Sequence, residues 1–217
     1  MTGRRVSAIV LAGGRSSRFG RDKLAEPIDG RPMLAHAIDA VRALARETIV
    51  VAGPEGSPDV PSGIRVVHDV APFEGPLVGL LAGLGAAKEA TVLVAAGDMP
   101  DLVPAVVEAL LAALDDPDID AALLSHDGRP RPLPMALRRQ PTEVVVARLV
   151  ESGERRLRAL PDALATAVID EAVWRILDPE GRTMRDIDTL ADLRQTHEDP
   201  RRRKAGAVVS WKGESRD

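Results

Sequence analysis

Five short runs dominated by β-branched and aliphatic residues set the strongest constraint on this chain: Ser7–Leu11, Thr48–Ala52, Ile64–His68, Thr91–Ala96 and Ala121–Ser125. Each is bounded by Gly, Pro or Asp and is apolar on both faces, the pattern of a strand buried on both sides. Amphipathic segments separate them. Pro32 stands where a helix starts, with Leu34, Ile38, Val41 and Leu44–Ala45 at helical spacing, and Pro76–Glu89 and Pro104–Leu114 repeat the pattern. Strand–helix alternation of this kind predicts an α/β fold: three layers, Rossmann-like, with a mainly parallel sheet flanked by helices on both faces. Aromatics make up only 2% of the 217 residues, so the core must be built from Val, Leu, Ile and Ala.

The second half is less regular. Pro132–Leu137 reads as a further strand, Thr142–Val150 as a helix and Arg155–Leu160 as a short helix. Ala165–Asp170 and Met184–Ile187 read as extended, and Thr189–His197 as helical. Residues 199–217 carry six Lys/Arg against three Asp/Glu, a balance of +3 within a chain of net charge −4. They predict a flexible basic tail.

Several chemistries are excluded. The chain has no cysteine, so disulfides, thiolate metal sites and thiol nucleophiles are ruled out. Its four histidines show no i,i+4 pair, which argues against a zinc hydrolase. The acidic balance disfavours nucleic acid as a partner. No apolar run approaches a membrane span, and Val6–Ala12 is too short for a signal peptide, so a cytoplasmic protein is expected. Asp115–Asp120 lacks the glycine and the terminal glutamate of a calcium loop and reads as a polar turn.

Chemistry concentrates after the first predicted strand, in Leu11-Ala12-Gly13-Gly14-Arg15-Ser16-Ser17-Arg18-Phe19-Gly20-Arg21-Asp22-Lys23. Adjacent glycines let the backbone turn sharply and approach a ligand, with N–H groups free to face anionic oxygens. Arg15, Arg18, Arg21 and Lys23 surround that turn with positive charge, which suits a triphosphate. Neither the dinucleotide fingerprint nor the P-loop spacing is met. The second signal is Gly97-Asp98-Met99-Pro100 at the carboxyl end of Thr91–Ala96. A carboxylate there can hold Mg²⁺; the structural alternative is that Asp98 caps the helix that follows.

The pattern L-A-G-G-x-S-x-R-x-G-x-D-K resembles the nucleotide-binding signature of the molybdenum cofactor guanylyltransferases, within the nucleotidyltransferase superfamily. Phe19 stands where the family usually has Met. The resemblance runs from about Ala8 to Leu193, dense in the first half and thinner in the second. It implies one nucleotidyltransferase domain over residues 1–198, with a nucleotide-binding half (1–100) and an acceptor-binding half (101–198). It also implies a Mg²⁺-dependent reaction in which the phosphate of molybdopterin attacks the α-phosphorus of GTP and releases pyrophosphate. Lys23, Arg18 and Asp98 would be the catalytic residues, with Asp98 on the metal. Leu11, Ala12, Gly13, Gly14, Lys23, Gly53, Asp69 and Asp98 would bind the nucleotide. Asp69 precedes Glu74-Gly75-Pro76-Leu77-Val78-Gly79, similar to the family's D…G-P-L-A-G segment; Gly75-Pro76 is equally a plain helix start.

Arg185-Asp186-Ile187-Asp188-Thr189 resembles the family's closing N-x-N-T-P segment, with Asp188 replacing an Asn. Asp98 and Asp188 together would make a more anionic metal site, unless Asp188 or Thr189 only caps the last helix. Gly153-Glu154-Arg155-Arg156 resembles an acceptor-side G-E-R-R, in which Arg155 and Arg156 would grip the acceptor phosphate; exposed arginines are also commonly just solvated. Gly128–Pro134 lies where the family carries a substrate-facing loop. A monomer is expected, with room for transient contact with cofactor-biosynthesis proteins or a molybdoenzyme. The competing readings are a sibling transferase using CTP, a sugar phosphate or a phospholactate, and a binding protein without catalysis. Gly13-Gly14 and the Gly75-Pro76-Leu77 turn favour guanylyl over cytidylyl transfer, because cytidylyl relatives usually read L-A-A-G and lack that turn.

Overall fold

The computed structural model describes residues 5–13, 23–54, 58–68, 75–187 and 192. Nine strands and six helices are described: β1 (Val6–Leu11), β2 (Pro27–Ile28), β3 (Arg31–Pro32), α1 (Met33–Arg42), β4 (Glu47–Ala52), β5 (Arg65–His68), α2 (Pro76–Ala86), β6 (Thr91–Ala96), α3 (Pro104–Ala113), β7 (Ala121–His126), β8 (Arg129–Arg138), α4 (Arg139–Glu151), α5 (Leu160–Ala163), β9 (Thr166–Ile169) and α6 (Glu171–Leu177). Seven strands form one sheet in the order β5-β4-β1-β6-β8-β7-β9. Only β8 runs against the others.

Strand side chains divide the core into two layers. Ala8 and Val10 face α1, α3 and α6, with Leu34, Ile38, Val106, Leu110 and Trp174. Ile9 and Leu11 face the opposite side, with Leu77, Leu80 and Leu84 of α2 and Val146 of α4. This is the three-layer α/β arrangement expected from strands apolar on both faces. Gly83 lets α2 press onto β1: a Cβ there would lie 2.8 Å from Ile9 Cγ2. No helix among the described residues is long and apolar enough to cross a membrane.

Differences from the sequence reading have local causes. Two hairpins went unpredicted, and both turn on Asp-Gly. Asp29 (φ 49°) and Gly30 (φ 78°) join β2 to β3, and Asp127 (φ 51°) and Gly128 (φ 68°) join β7 to β8. Positive φ at both central residues is what a tight hairpin of matching twist requires. Pro32 caps α1 rather than opening it. The strand expected at Pro132–Leu137 is longer and antiparallel, because the tight turn leaves no length for a crossover. Its register slips between Leu123, opposite Met135, and Leu124, opposite Arg131. Pro132 and Pro134 cannot donate to the ladder, so the intervening residues bulge out.

Helix α6 was missed. Val173, Ile176 and Leu177, at i, i+3 and i+4, form an exposed stripe while Trp174 is fully buried, so the apolar period points to solvent rather than to the core. Asp170 was its sequence signal, an N-cap whose side chain accepts from Ala172 N. Met184 is not extended, because the Asp178 carboxylate accepts from Thr183 N at 2.7 Å and Arg182–Met184 curls into a 3-10 turn; Arg185 is extended, and 185–187 joins neither sheet. The expected helix at Thr189–His197, apart from Asp192, and the tail at 199–217 lie outside the described residues.

Candidate active site

β1 lies at the centre of the parallel strands, between β4 and β6, so its carboxyl end meets theirs. Ala12 N donates to Val51 O at 2.8 Å, and Gly97 N donates to Leu11 O at 2.9 Å. The order of strand addition reverses here: connections from β1 lead outward to β4 and β5, and the chain then returns through α2 to β6 on the other side of β1. Open α/β sheets bind ligands at such a switch point. Gly13 packs on the Gly53 backbone, where a Cβ would lie 3.5 Å from Gly53 N. Leu11, Ala12, Gly13 and Gly53 are thereby gathered on one rim.

The residue that closes the basic segment returns to the same rim. Lys23 Nζ donates to Asp98 Oδ2 at 2.7 Å, with the side chains 11% and 25% exposed. An ammonium and a carboxylate, 75 residues apart in sequence, are therefore held in contact in a partly water-excluded place. Asp98 does not act as the cap of α3. Val103 is the N-cap of α3, and its N–H donates to Thr183 Oγ1 at 3.1 Å. The 185–187 segment also reaches this turn, with Ile187 N donating to Asp98 O at 3.2 Å. Gly14, Arg15, Arg18, Arg21, Asp69 and Asp188 lie outside the described residues.

Beside Asp98 opens a cleft of about 780 Å³ between the end of β6 and the β7–β8 hairpin. The bulge and turn supply Asp127, Arg129, Arg131 and Leu133, and Arg158 and Asp186 close the wall. Arg131 Nη2 contacts Asp186 Oδ2 at 3.4 Å. The 129–133 stretch of β8 therefore faces the same space as Asp98.

Arg155 and Arg156 are not brought to this cleft. Arg155 Nη1 donates to Val150 O and Glu154 O, and Arg156 pairs with Glu154. Arg158, which sequence reasoning passed over, is the arginine of that segment on the wall. The Arg156 side chain, together with the backbone N–H groups of Arg155 and Arg156, pushes the Glu154 carboxyl down to about 2 from the usual 4.5. A depressed carboxyl stabilises the fold above its ordinary value and loses that contribution as pH falls toward its folded value. Glu154→Gln should therefore lower the melting temperature slightly at pH 7, and the gap should shrink between about pH 4.5 and pH 2 in thermal unfolding.

His126, to which the sequence reading gave no role of its own, lines the cleft. Its Nδ1 lies 3.0 Å from Glu171 Oε1. Ligand-type atoms of His126, Asp127 and Glu171 fall within 4.8 Å of one another. Glu171 is already engaged: Oε2 accepts from Asp127 N at 2.9 Å, and Oε1 accepts from Arg175 Nε at 3.1 Å. These donors, first the Asp127 N–H and then Arg175 and His126, hold the Glu171 carboxyl below its usual range.

Residues 8–168 match the model of the MobA-like NTP transferase domain. The chain belongs to this family. It is 36% identical over 198 residues to a protein of Chloroflexus aggregans named probable molybdenum cofactor guanylyltransferase, covering 87% of this chain and 92% of that one. A Mycobacterium avium protein of the same name is 34% identical, with 87% and 93% covered. The chain resembles the structure of molybdopterin-guanine dinucleotide biosynthesis protein A from Archaeoglobus fulgidus with a TM-score of 0.73 at 22% identity, over 88% of this chain and 97% of that one. It also shares its fold with 2-C-methyl-D-erythritol 4-phosphate cytidylyltransferase from Thermus thermophilus, TM-score 0.66 at 18% identity, with 89% and 97% covered. The family makes this chain an enzyme, a nucleotidyltransferase with the α/β fold described above.

Proposed function

We propose that this enzyme transfers GMP from GTP to molybdopterin, releasing pyrophosphate, with nucleotide and acceptor meeting at Asp98. The observation that carries the reading is the Lys23–Asp98 pair at 2.7 Å, standing at the switch point and opening onto the cleft. The names of the relatives support the base and the acceptor.

The residues fit a Mg²⁺ ion. Asp98 offers a hard carboxylate oxygen, Oδ1, while Oδ2 is held by Lys23, and Mg²⁺ takes one or two carboxylates with phosphate oxygens and water completing its shell. Asp188 would supply the second carboxylate. Bound there, the ion neutralises charge on the triphosphate. Lys23 adds a fixed positive charge that needs no reorganisation during reaction. Arg18 is assigned to the pyrophosphate leaving group, and Asp69 to the nucleotide. The backbone from Leu11 to Gly13, on the same rim as Gly53, would receive it, with Gly14 assigned to the same role. Arg131 and Arg158 give the cleft cationic groups for a phosphate-bearing acceptor, which displaces Arg155 and Arg156 from that role. A phosphate acceptor is already ionised at neutral pH, so the chain has only to position it and balance charge. Residues 1–198 act as one domain in this reading, with the site between its two halves.

The test is pyrophosphate release with each of the four NTPs, with and without molybdopterin. Release selective for GTP and dependent on the acceptor is expected. Selectivity for CTP would replace the guanylyl assignment, and release dependent only on a sugar phosphate would replace the acceptor.

A further inference from the structure

The reaction as described makes no use of His126, yet its side chain is held from two sides. Its ring is held by Glu171 at Nδ1 and lies against Trp174, with centroids 6.3 Å apart and planes tilted by 58°. Trp174 is fully buried and fixed by its Nε1 donating to Ser125 O at 2.8 Å. Glu171 is fixed in turn by Arg175, whose guanidinium stacks 4.8 Å over Trp174. Support of this depth behind a side chain on a cleft wall is how proteins preorganise a contact with a ligand.

An ionised carboxylate only accepts, so Nδ1 is the donor to Glu171, and a neutral ring then presents Nε2 as an acceptor. Asp127 Oδ2 stands 3.7 Å from Nε2, its side chain 89% exposed. Two acceptors side by side match an edge that carries adjacent N–H groups. The location is equally informative. β8 separates β6 from β7, so His126 lies two strand spacings, about 10 Å, along the rim from the end of β6. That is beyond atoms bonded to the reacting phosphorus and within reach of the far end of an acceptor whose phosphate lies at Asp98.

We propose that His126 Nε2 and the Asp127 carboxylate bind the N–H edge of the acceptor's non-reacting, heterocyclic end. The assignment rests on the acceptor reading given under Proposed function. It makes His126 a determinant of acceptor affinity with no part in the chemical step.

Two isosteric substitutions separate this role from a structural one. Asn places an amide nitrogen where Nδ1 lies and keeps the tie to Glu171 without reaching the cleft; Gln places its amide at the position of Nε2. Steady-state pyrophosphate release is measured with molybdopterin varied at saturating GTP and Mg²⁺, alongside thermal unfolding. His126→Asn should raise the acceptor KM roughly tenfold, the worth of one hydrogen bond, with kcat and the KM for GTP unchanged. His126→Gln should recover most of that loss. Asp127→Asn keeps the positive-φ turn, because Asn tolerates it, and should also raise the acceptor KM. A wild-type acceptor KM in His126→Asn overturns the proposal. Equal defects in both His126 variants that track a lower melting temperature overturn it as well. A lower KM in Asp127→Asn shows that the bound group is an anion and overturns the N–H assignment. If the wild-type enzyme shows no acceptor-dependent release, the acceptor reading itself fails and this one falls with it.

Discussion

Asp98→Asn is expected to cut turnover by on the order of 10²–10³-fold, the cost of removing one preorganised charge from the place where charge is transferred. Asn nearly preserves the shape of the side chain, and its amide oxygen still accepts from Lys23 Nζ, so the contact seen at 2.7 Å survives in the variant. What disappears is the negative charge that would hold a metal ion. Alanine is the poorer probe. Lys23 is only 11% exposed, and an ammonium left there without its carboxylate would destabilise the fold and confuse the measurement. Lys23→Met keeps the length of the side chain and should show a loss of similar size. Because the two residues touch, the double variant should lose much less than the product of the single losses. Pyrophosphate release checks the rates, and thermal unfolding checks that the fold persists. A near-wild-type rate in Asp98→Asn removes that carboxylate from the reaction.

Gly75→Ala should be the most damaging small change to stability outside the deep core. Gly75 has φ 95°, a conformation in which a Cβ is strained in any surroundings. Here the surroundings are hostile too. The added carbon would lie 2.7 Å from Arg155 O and 2.9 Å from Arg155 Cβ, and the closest of these is backbone that cannot rotate away. That carbonyl also accepts from Leu77 N at 3.2 Å in the first turn of α2, so any shift unpairs the start of the helix. The combined cost is about 3 kcal/mol, or roughly 6–12 °C in melting temperature for a chain of this size. Differential scanning calorimetry reads this directly, and a change under 2 °C would mean that the 154–156 segment moves freely. By contrast, Gly30→Ala meets no atom within 4 Å, so it carries only the backbone strain of its φ of 78° and should cost less.

Much of the fold was already written in local pattern. A strand buried on both faces has to be apolar throughout, and β1, β4 and β6 lie within one residue of where their apolar runs placed them. Helices opened by proline, α2 and α3, start at that residue because proline lacks only an N–H that the first turn leaves unpaired anyway. The hairpins were also visible in principle, since Asp29-Gly30 and Asp127-Gly128 have the residues such turns require. Helix α6 was hidden for a physical reason: it is only seven residues long, and most of its apolar residues, Val173, Ile176 and Leu177, lie on its exposed face, so their period marks no stripe turned to the core.

By itself the sequence determined which residue types could do this chemistry, and that they follow strands: glycines and cations after β1, a carboxylate after β6. Strand order was decided only in three dimensions, since local periodicity carries no information about which strands become neighbours. That order put β6 beside β1 and so joined Lys23 to Asp98. The tertiary structure also decided which arginines face the cleft beside Asp98. Arg155 and Arg156 were satisfied by carbonyls and by Glu154 within their own turn, and Arg158 was left on the wall. It alone paired Glu171 with His126, because a hydrogen bond across 45 residues depends on β7 and α6 packing together, which no spacing along the chain encodes.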